Sequence, residues 1–336
     1  MIARLRHRGG RAGALLLLPL SVIPMLLVTP GLVSSHARFE RKFHSPPFAA
    51  LEVRFSETAR ARYAPVPPFK GAVPVLVYHG INEQNDGYSV SREEFARQLE
   101  MLDMAGYRTI TIAQYLRFRA GDIAGLPPRP ILITFDDGRL DSFRGADRLL
   151  ARHSMGAVMY VITGPVADGN GFHLSWEELH GMHDSGRWDI QPHARDGHRK
   201  IVVDGANRSG PFYASRRFTR SEGYESFADY TRRVGSDIYA LKEDFRRQGF
   251  PSETFAAPFG DVGQNSREDR AEPFLRSLLA TQFRVVFVQG AGNDPGYTTA
   301  TGSTERFELH TATTADQLHR WLLRHHPVAG ATGVER

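Results

Sequence analysis

From Val73 onward, short and wholly apolar runs alternate with longer amphipathic stretches. Val73–Tyr78, Ile131–Phe135 and Ala157–Ile162 are too short for stable helices and rich in residues that suit a buried strand. Ser91 with Glu94 three positions on predicts a capping box that starts a helix running to about Ala105. The pattern after Phe135 predicts a helix through Leu149 and Leu150, and Ser175-Trp176-Glu177-Glu178 opens another. A long amphipathic helix is expected from about Ser226 to Arg247. Brief strands are expected at Trp188–Gln191, Thr254–Ala257, Arg284–Val288 and Phe307–His310, with helices at Phe274–Thr281 and about Thr314–His325. Residues 199–225 read as a polar insertion bearing Arg and Tyr. Strands that alternate with helices, with no block of strands alone, imply an α/β fold with a mainly parallel sheet, open or closed.

The amino terminus carries a different pattern. Arg4, Arg6, Arg8 and Arg11 precede an uncharged, mostly apolar stretch from Ala12 to about Val33. A basic segment before a hydrophobic one is the arrangement of an export signal. The stretch is close to the ~20 residues that span a bilayer, so an uncleaved membrane anchor is expected, its basic flank inside. Cleavage near Ser35-His36-Ala37 is the alternative, and Pro19, Pro24 and Pro30 count against an unbroken spanning helix. The expected organisation is a signal-anchor or signal peptide over 1–36, a proline-dotted linker over 37–70, a folded domain over 71–328 and a tail over 329–336. The domain would then lie outside the cytoplasm, anchored or secreted.

Charge supports that division. The net charge of +5 and pI of about 9.5 suggest a nucleic-acid partner at first sight. Residues 1–70, however, hold eleven Lys and Arg against three Asp and Glu, whereas the other 266 hold 31 against 34. The folded part is slightly acidic, so no nucleic-acid face is expected. With no cysteine in the chain, disulfides, thiolate metal sites and Cys nucleophiles are excluded.

The chemistry-bearing residues fall at the expected C-terminal ends of strands: His79, Asp136, Asp137, His193 and the Pro258-Phe259-Gly260 turn. In a β/α barrel active sites are built at that end. Taken singly, each has an ordinary structural explanation as a hydrogen-bonding His or an Asp-Asp-Gly turn. Together they point to metal-assisted hydrolysis, because two adjacent carboxylates at a strand end are costly unless they bind a metal or move a proton. His193 and His198 are five apart, so they act as a pair only on a loop. Glycoside hydrolysis fits poorly, since its two carboxylates flank the bond at about 5–9.5 Å and the histidines would have no role.

Thr134-Phe135-Asp136-Asp137-Gly138, a two-histidine motif and a Pro-aromatic-Gly turn resemble the polysaccharide deacetylases of carbohydrate esterase family 4. The resemblance covers about residues 73–325. The strand ending in Tyr78-His79 ahead of the aspartates, and the spacing of the histidines, are similar to the branch acting on poly-β-1,6-N-acetylglucosamine. The resemblance implies a distorted (β/α)7-type barrel and an extracellular N-acetylhexosamine polysaccharide as substrate. It implies Asp137, His193 and His198 as ligands of a divalent ion, Zn²⁺ being the expected one, Asp136 as general base and His79 as general acid. A backbone N–H near Phe259 would help hold the oxyanion. Peptidoglycan or chitin oligomers are the nearest alternative substrates; a non-enzymatic polysaccharide-binding protein is the alternative outside catalysis.

The chain departs from the family pattern in three places. Ala256-Ala257 stand where an Arg usually precedes the Pro-aromatic-Gly turn, leaving Arg139 and Arg195 as candidates to orient Asp136. Leu309-His310 resembles a late motif that supplies the acid in other members, so His310 competes with His79. Ala194 follows the first histidine in place of Ser or Thr. Among the aromatic residues, Trp176, Trp188, Phe212, Tyr213 and Tyr224 are candidate sugar platforms, with Phe212 and Tyr213 the better placed.

Overall fold

The computed structural model describes residues 51, 53–65, 67–68, 71–168, 171–289, 298–299 and 304–324. The expected export segment and the tail at 329–336 lie outside the described residues. Among the described residues no helix is long and apolar enough to cross a membrane.

Among the described residues, seven parallel strands organise the domain: β1 (Val75–Tyr78), β2 (Pro130–Phe135), β3 (Ala157–Ile162), β4 (Trp188–Ala194), β5 (Thr254–Ala256), β6 (Val285–Phe287) and β7 (Phe307–Glu308). The first ladder runs β7-β1-β2-β3-β4, with the short strand Arg108–Thr109 also paired to β2. Every residue of β1, β2 and β3 is buried. Strands covered on both faces read as continuous apolar runs, which is why these three were the plainest in the sequence. β5 and β6 form a second parallel pair.

The ladders are joined on both flanks. A parallel bridge between Val288 and Glu305 connects the end of β6 to the approach to β7. On the other flank, the Gln191 side chain in β4 accepts hydrogen bonds from the backbone N–H groups of Glu253 and Thr254, at 3.1 and 2.9 Å. A side chain there substitutes for a backbone ladder.

Helix starts follow the capping signals, with one difference. At Ser175 both halves of the box form with Glu178. At Ser91 only the hydroxyl half forms, because the Glu94 carboxylate instead accepts from the backbone of Ala315 and caps the last helix, Ala315–Arg324. A helix at Ile112–Arg119, closed by a Thr111–Gln114 capping box, was not expected from the pattern. Part of the expected linker is also folded: Glu57–Arg62 is helical, and the buried Tyr63 donates its hydroxyl to Asp316. The insertion forms two antiparallel hairpins, Lys200–Val202 with Ser209–Pro211 and Phe218–Thr219 with Gly223–Tyr224.

Candidate active site

β2 ends at Phe135 and delivers two carboxylates into different surroundings. Asp136 keeps strand geometry, its N–H bonded to the Tyr78 carbonyl at 2.9 Å, and is buried. Asp137 and Gly138 then both turn left-handed, with φ of 73° and 67°. Asp tolerates that region better than most residues, and the turn swings its carboxylate away from that of Asp136. Gly138 is needed on space as well: a Cβ there would stand 3.2 Å from Val161 Cγ1.

The sequence pattern placed His193 on a loop after β4. It lies within β4, at an irregularity where Val161 pairs with Pro192 and Ile162 with Ala194, leaving His193 as the extra residue. A bulge of this kind redirects a side chain beside a functional site. The ring bonds through Nδ1 to the Ala256 carbonyl at 2.7 Å. A carbonyl only accepts, so Nδ1 carries the proton and Nε2 presents its lone pair to the carboxylates. Thus Ala256, noted above as a missing Arg, orients His193 with its backbone.

His198 follows on the loop beyond β4, its ring stacked against Phe259 at 4.6 Å between centroids. Phe259 itself has φ of 58° in the Pro258–Gly260 turn. The result is one cluster: Asp137 Oδ1 lies 3.6 Å from His193 Nε2 and 3.4 Å from His198 Nε2. Donor atoms of the three residues all fall within 4.8 Å of one another. Two donors about 2.1 Å from a shared ion at a tetrahedral angle stand roughly 3.4 Å apart. Asp137 Oδ1 is also buried without a hydrogen-bond partner, which is costly for an anion unless a cation completes it. The residues present therefore fit a divalent metal.

Electrostatics keep the cluster ready for a cation. Burial alone would raise the Asp137 pKa, but the imidazoles gathered around it, His193 first, hold it far below the carboxylate range. Burial, then the neighbouring His193, push His198 down to about 4, so its ring is neutral near neutral pH. His193 is shifted up: burial opposes its charge, and Asp136 and Asp137 outweigh the burial.

Asp136 is oriented by Arg306. Its guanidinium reaches the carboxylate with both ends, Nη1 to Oδ1 at 2.8 Å and Nη2 to Oδ2 at 2.6 Å, and adds Thr134 and Gln289 as further acceptors. Both side chains are at most 1% exposed. Burial would raise the Asp136 pKa, yet Arg306 first and His193 next hold it below the ordinary value. Neither expected candidate has this role: Arg139 pairs with Asp141 at 2.7 Å, and Arg195 pairs with Asp196 and Asp244. Arg306 is 170 residues from Asp136 in the chain, so spacing gave no signal. The one available sign was a charged residue at the start of an otherwise strand-like Phe307–Leu309 run.

Residues 124–272 match the family model for polysaccharide deacetylases. Over that stretch, less than half of the 336 residues, the chain is similar to polysaccharide deacetylases. It is 27% identical over 127 residues to a poly-β-1,6-N-acetyl-D-glucosamine N-deacetylase of Staphylococcus aureus, a match covering 37% of this chain and 43% of that protein. A namesake from Staphylococcus epidermidis is 28% identical over 147 residues, covering 41% and 48%. The chain thus spans less than half the length of these relatives. The fold resembles a de-N-acetylase from Aggregatibacter actinomycetemcomitans, with a TM-score of 0.64 and 18% identity over 74% of this chain and 99% of that one. IcaB from Ammonifex degensii gives 0.58 and 25%, over 75% and 97%.

Two further histidines lie near the cluster, with Glu308 between them. His79 Nδ1 lies 3.7 Å from one carboxylate oxygen and His310 Nε2 3.7 Å from the other. His79 is the inner one: its side chain is 13% exposed against 47% for His310.

The expected sugar platforms need correction. Phe212 and Tyr213 are both 3% exposed. The Phe212 ring lies under Arg233, and the Tyr213 hydroxyl is given to Asp237, so neither offers a face to a ligand. Trp188 is in the core, and Trp176 stacks on Phe250. Tyr224 is exposed. The rings that are both exposed and beside the cluster are others. Tyr88 is 57% exposed, its centroid 5.8 Å from His79 and 6.2 Å from His310. Phe259 is 42% exposed over His198. Phe172 lines a cleft of about 510 Å³ together with Asp137, His173 and His198.

Proposed function

We propose that this domain removes N-acetyl groups hydrolytically from a poly-β-1,6-N-acetylglucosamine chain outside the cytoplasm. The observation that carries the reading is the Asp137–His193–His198 cluster set beside a second carboxylate clamped by Arg306. One ligand set and one separate proton acceptor are what amide hydrolysis by water requires. The seven strands are read as a distorted (β/α)7 barrel with both groups at its C-terminal rim, where such folds place their chemistry.

Asp137, His193 and His198 would hold the divalent ion, with Zn²⁺ the expected choice for a nitrogen and oxygen donor set. Once bound, such an ion supplies Lewis acidity and a water of lowered pKa. The chain's own residues do the rest. Asp136 takes a proton from the attacking water; its Oδ2 is 4.0 Å from His193 Nε2 and so faces the cluster. Arg306 keeps Asp136 ionised and fixed in direction. A backbone N–H near Phe259 would help hold the developing oxyanion. His79 gives a proton to the nitrogen as the C–N bond breaks, so that acetate and a free amine leave.

The geometry around Glu308 makes the acid testable. His79→Ala is expected to lower kcat by about 10²–10⁴-fold, the usual worth of general acid catalysis, while His310→Ala costs less than about fivefold. The reverse order would transfer the acid role to His310. Alanine at Tyr88 is expected to raise KM on polymer severalfold with little change in kcat, as loss of a sugar-stacking face should. An unchanged KM would remove Tyr88 from the substrate path.

Substrate choice is tested by incubating the full-length protein with poly-β-1,6-N-acetylglucosamine, chitin oligomers and peptidoglycan, and measuring free amine. Preference for the first supports the proposal, and preference for either other substrate replaces it. Polymer binding without amine release from any of them would make the domain a binding protein. Release of the domain from cell membranes by detergent, but not by salt, would fit anchorage by residues 12–33.

A further inference from the structure

The loop carrying His198 is held from outside the cluster by one buried carboxylate. Asp237 lies on the long helix Phe227–Gln248 and is 7% exposed. It accepts from the backbone N–H of Arg195 at 3.2 Å through Oδ2 and from that of Asp196 at 2.9 Å through Oδ1. Its third donor is the hydroxyl of Tyr213. Tyr213 then closes on the loop: a Cβ at Gly197 would stand 2.4 Å from the Tyr213 ring. Glycine is therefore required one residue before His198 to let that ring approach.

Other contacts make the brace rigid. Asp244, seven residues after Asp237 and on the same helical face, accepts from Arg195 and from the Thr163 hydroxyl. The Gly164 N–H donates to the Arg195 carbonyl at 3.1 Å. Tyr213 is fixed in turn, its carbonyl accepting from the Tyr230 hydroxyl at 2.6 Å. Arg233 ties the neighbouring Phe212 carbonyl to Glu225. The insertion over 199–225 is thereby fastened to the long helix directly behind the histidine loop.

We propose that Asp237 and Tyr213 are positioning residues that set the place of His198 and thereby tune metal affinity. The inference rests on the reading of Asp137, His193 and His198 as ligands. Its logic is that of groups outside a metal's ligand shell, whose loss typically weakens binding about 10–100-fold. Here the orientation is transmitted through two backbone N–H groups and a glycine, rather than through the imidazole's own second nitrogen.

The test is a Zn²⁺ competition titration against a chromophoric chelator, with the visible spectrum of the Co²⁺-loaded protein as a second readout. Full-length wild type, Asp237→Asn and Tyr213→Phe are compared, each first shown to unfold cooperatively in EDTA. Asp237→Asn is expected to raise the Zn²⁺ Kd about 10–100-fold and to shift the Co²⁺ bands, with a smaller change in the same direction for Tyr213→Phe. Wild-type Kd and spectrum in both variants, whatever their melting temperatures, would reduce the pair to a structural contact and overturn the proposal. Should Asp237→Asn fail to fold, Tyr213→Phe decides alone. A wild-type protein that binds no Zn²⁺ or Co²⁺ would instead overturn the ligand reading itself.

Discussion

Arg306→Ala is expected to lower the stability of the domain by about 3–5 kcal/mol, the usual cost of breaking a buried ion pair. In a domain of this size that corresponds to a fall in Tm of roughly 10 °C. The cause is Asp136. Its carboxylate has Arg306 on both oxygens and is 1% exposed, so removing the guanidinium leaves a buried anion without its paired cation. Arg306→Lys should fall between the two, because an ammonium keeps the charge and loses the two-pronged geometry. Replacing both partners with apolar residues, Asp136→Leu with Arg306→Met, should recover much of the stability while eliminating activity. That pattern would separate the pair's catalytic use from its contribution to folding. An Arg306→Ala protein as stable as wild type would show that the clamp is absent in solution.

Asp137→Asn is expected to reduce deacetylation by at least about 10³-fold, equivalent to roughly 4 kcal/mol of lost transition-state stabilisation. Asn is chosen over Ala because it tolerates the left-handed backbone at this position, where Asp137 has φ of 73°. It keeps the shape and removes the charge. In the presence of chelator the variant should still unfold cooperatively but melt somewhat below wild type, since the charge removed is one that the surrounding imidazoles stabilise. Measuring kcat/KM beside melting curves in EDTA distinguishes this outcome from a folding defect. Residual activity within tenfold of wild type would remove Asp137 from the ligand set.

Much of this arrangement was legible in the residues. Strands buried on both faces announce themselves as unbroken apolar runs, so β1, β2 and β3 were placed close to their ends. The carboxylates and histidines were placed because each closes or follows such a strand. What was missed depends on contacts between distant parts of the chain. Arg306 reaches Asp136 only because β7 lies against β1 and β1 against β2. Glu94 serves the last helix rather than its own. Phe212 and Tyr213 sit among glycine, proline and arginine in sequence, the surroundings of an exposed loop. They are buried because Arg233 and Asp237, spaced four apart on one helix, draw the insertion inward. Burial of an aromatic by a partner far away in sequence leaves no periodic trace.

The central claim is that a metal held by Asp137, His193 and His198 makes this domain an N-deacetylase. The most direct test is acetate release from poly-β-1,6-N-acetylglucosamine by the full-length protein, before and after EDTA treatment and after Zn²⁺ is restored. The account predicts release that is lost with chelator and returns with the ion in wild type, and that stays absent in Asp137→Asn under all three conditions. Acetate release undiminished by EDTA in a protein shown to be metal-free would contradict it.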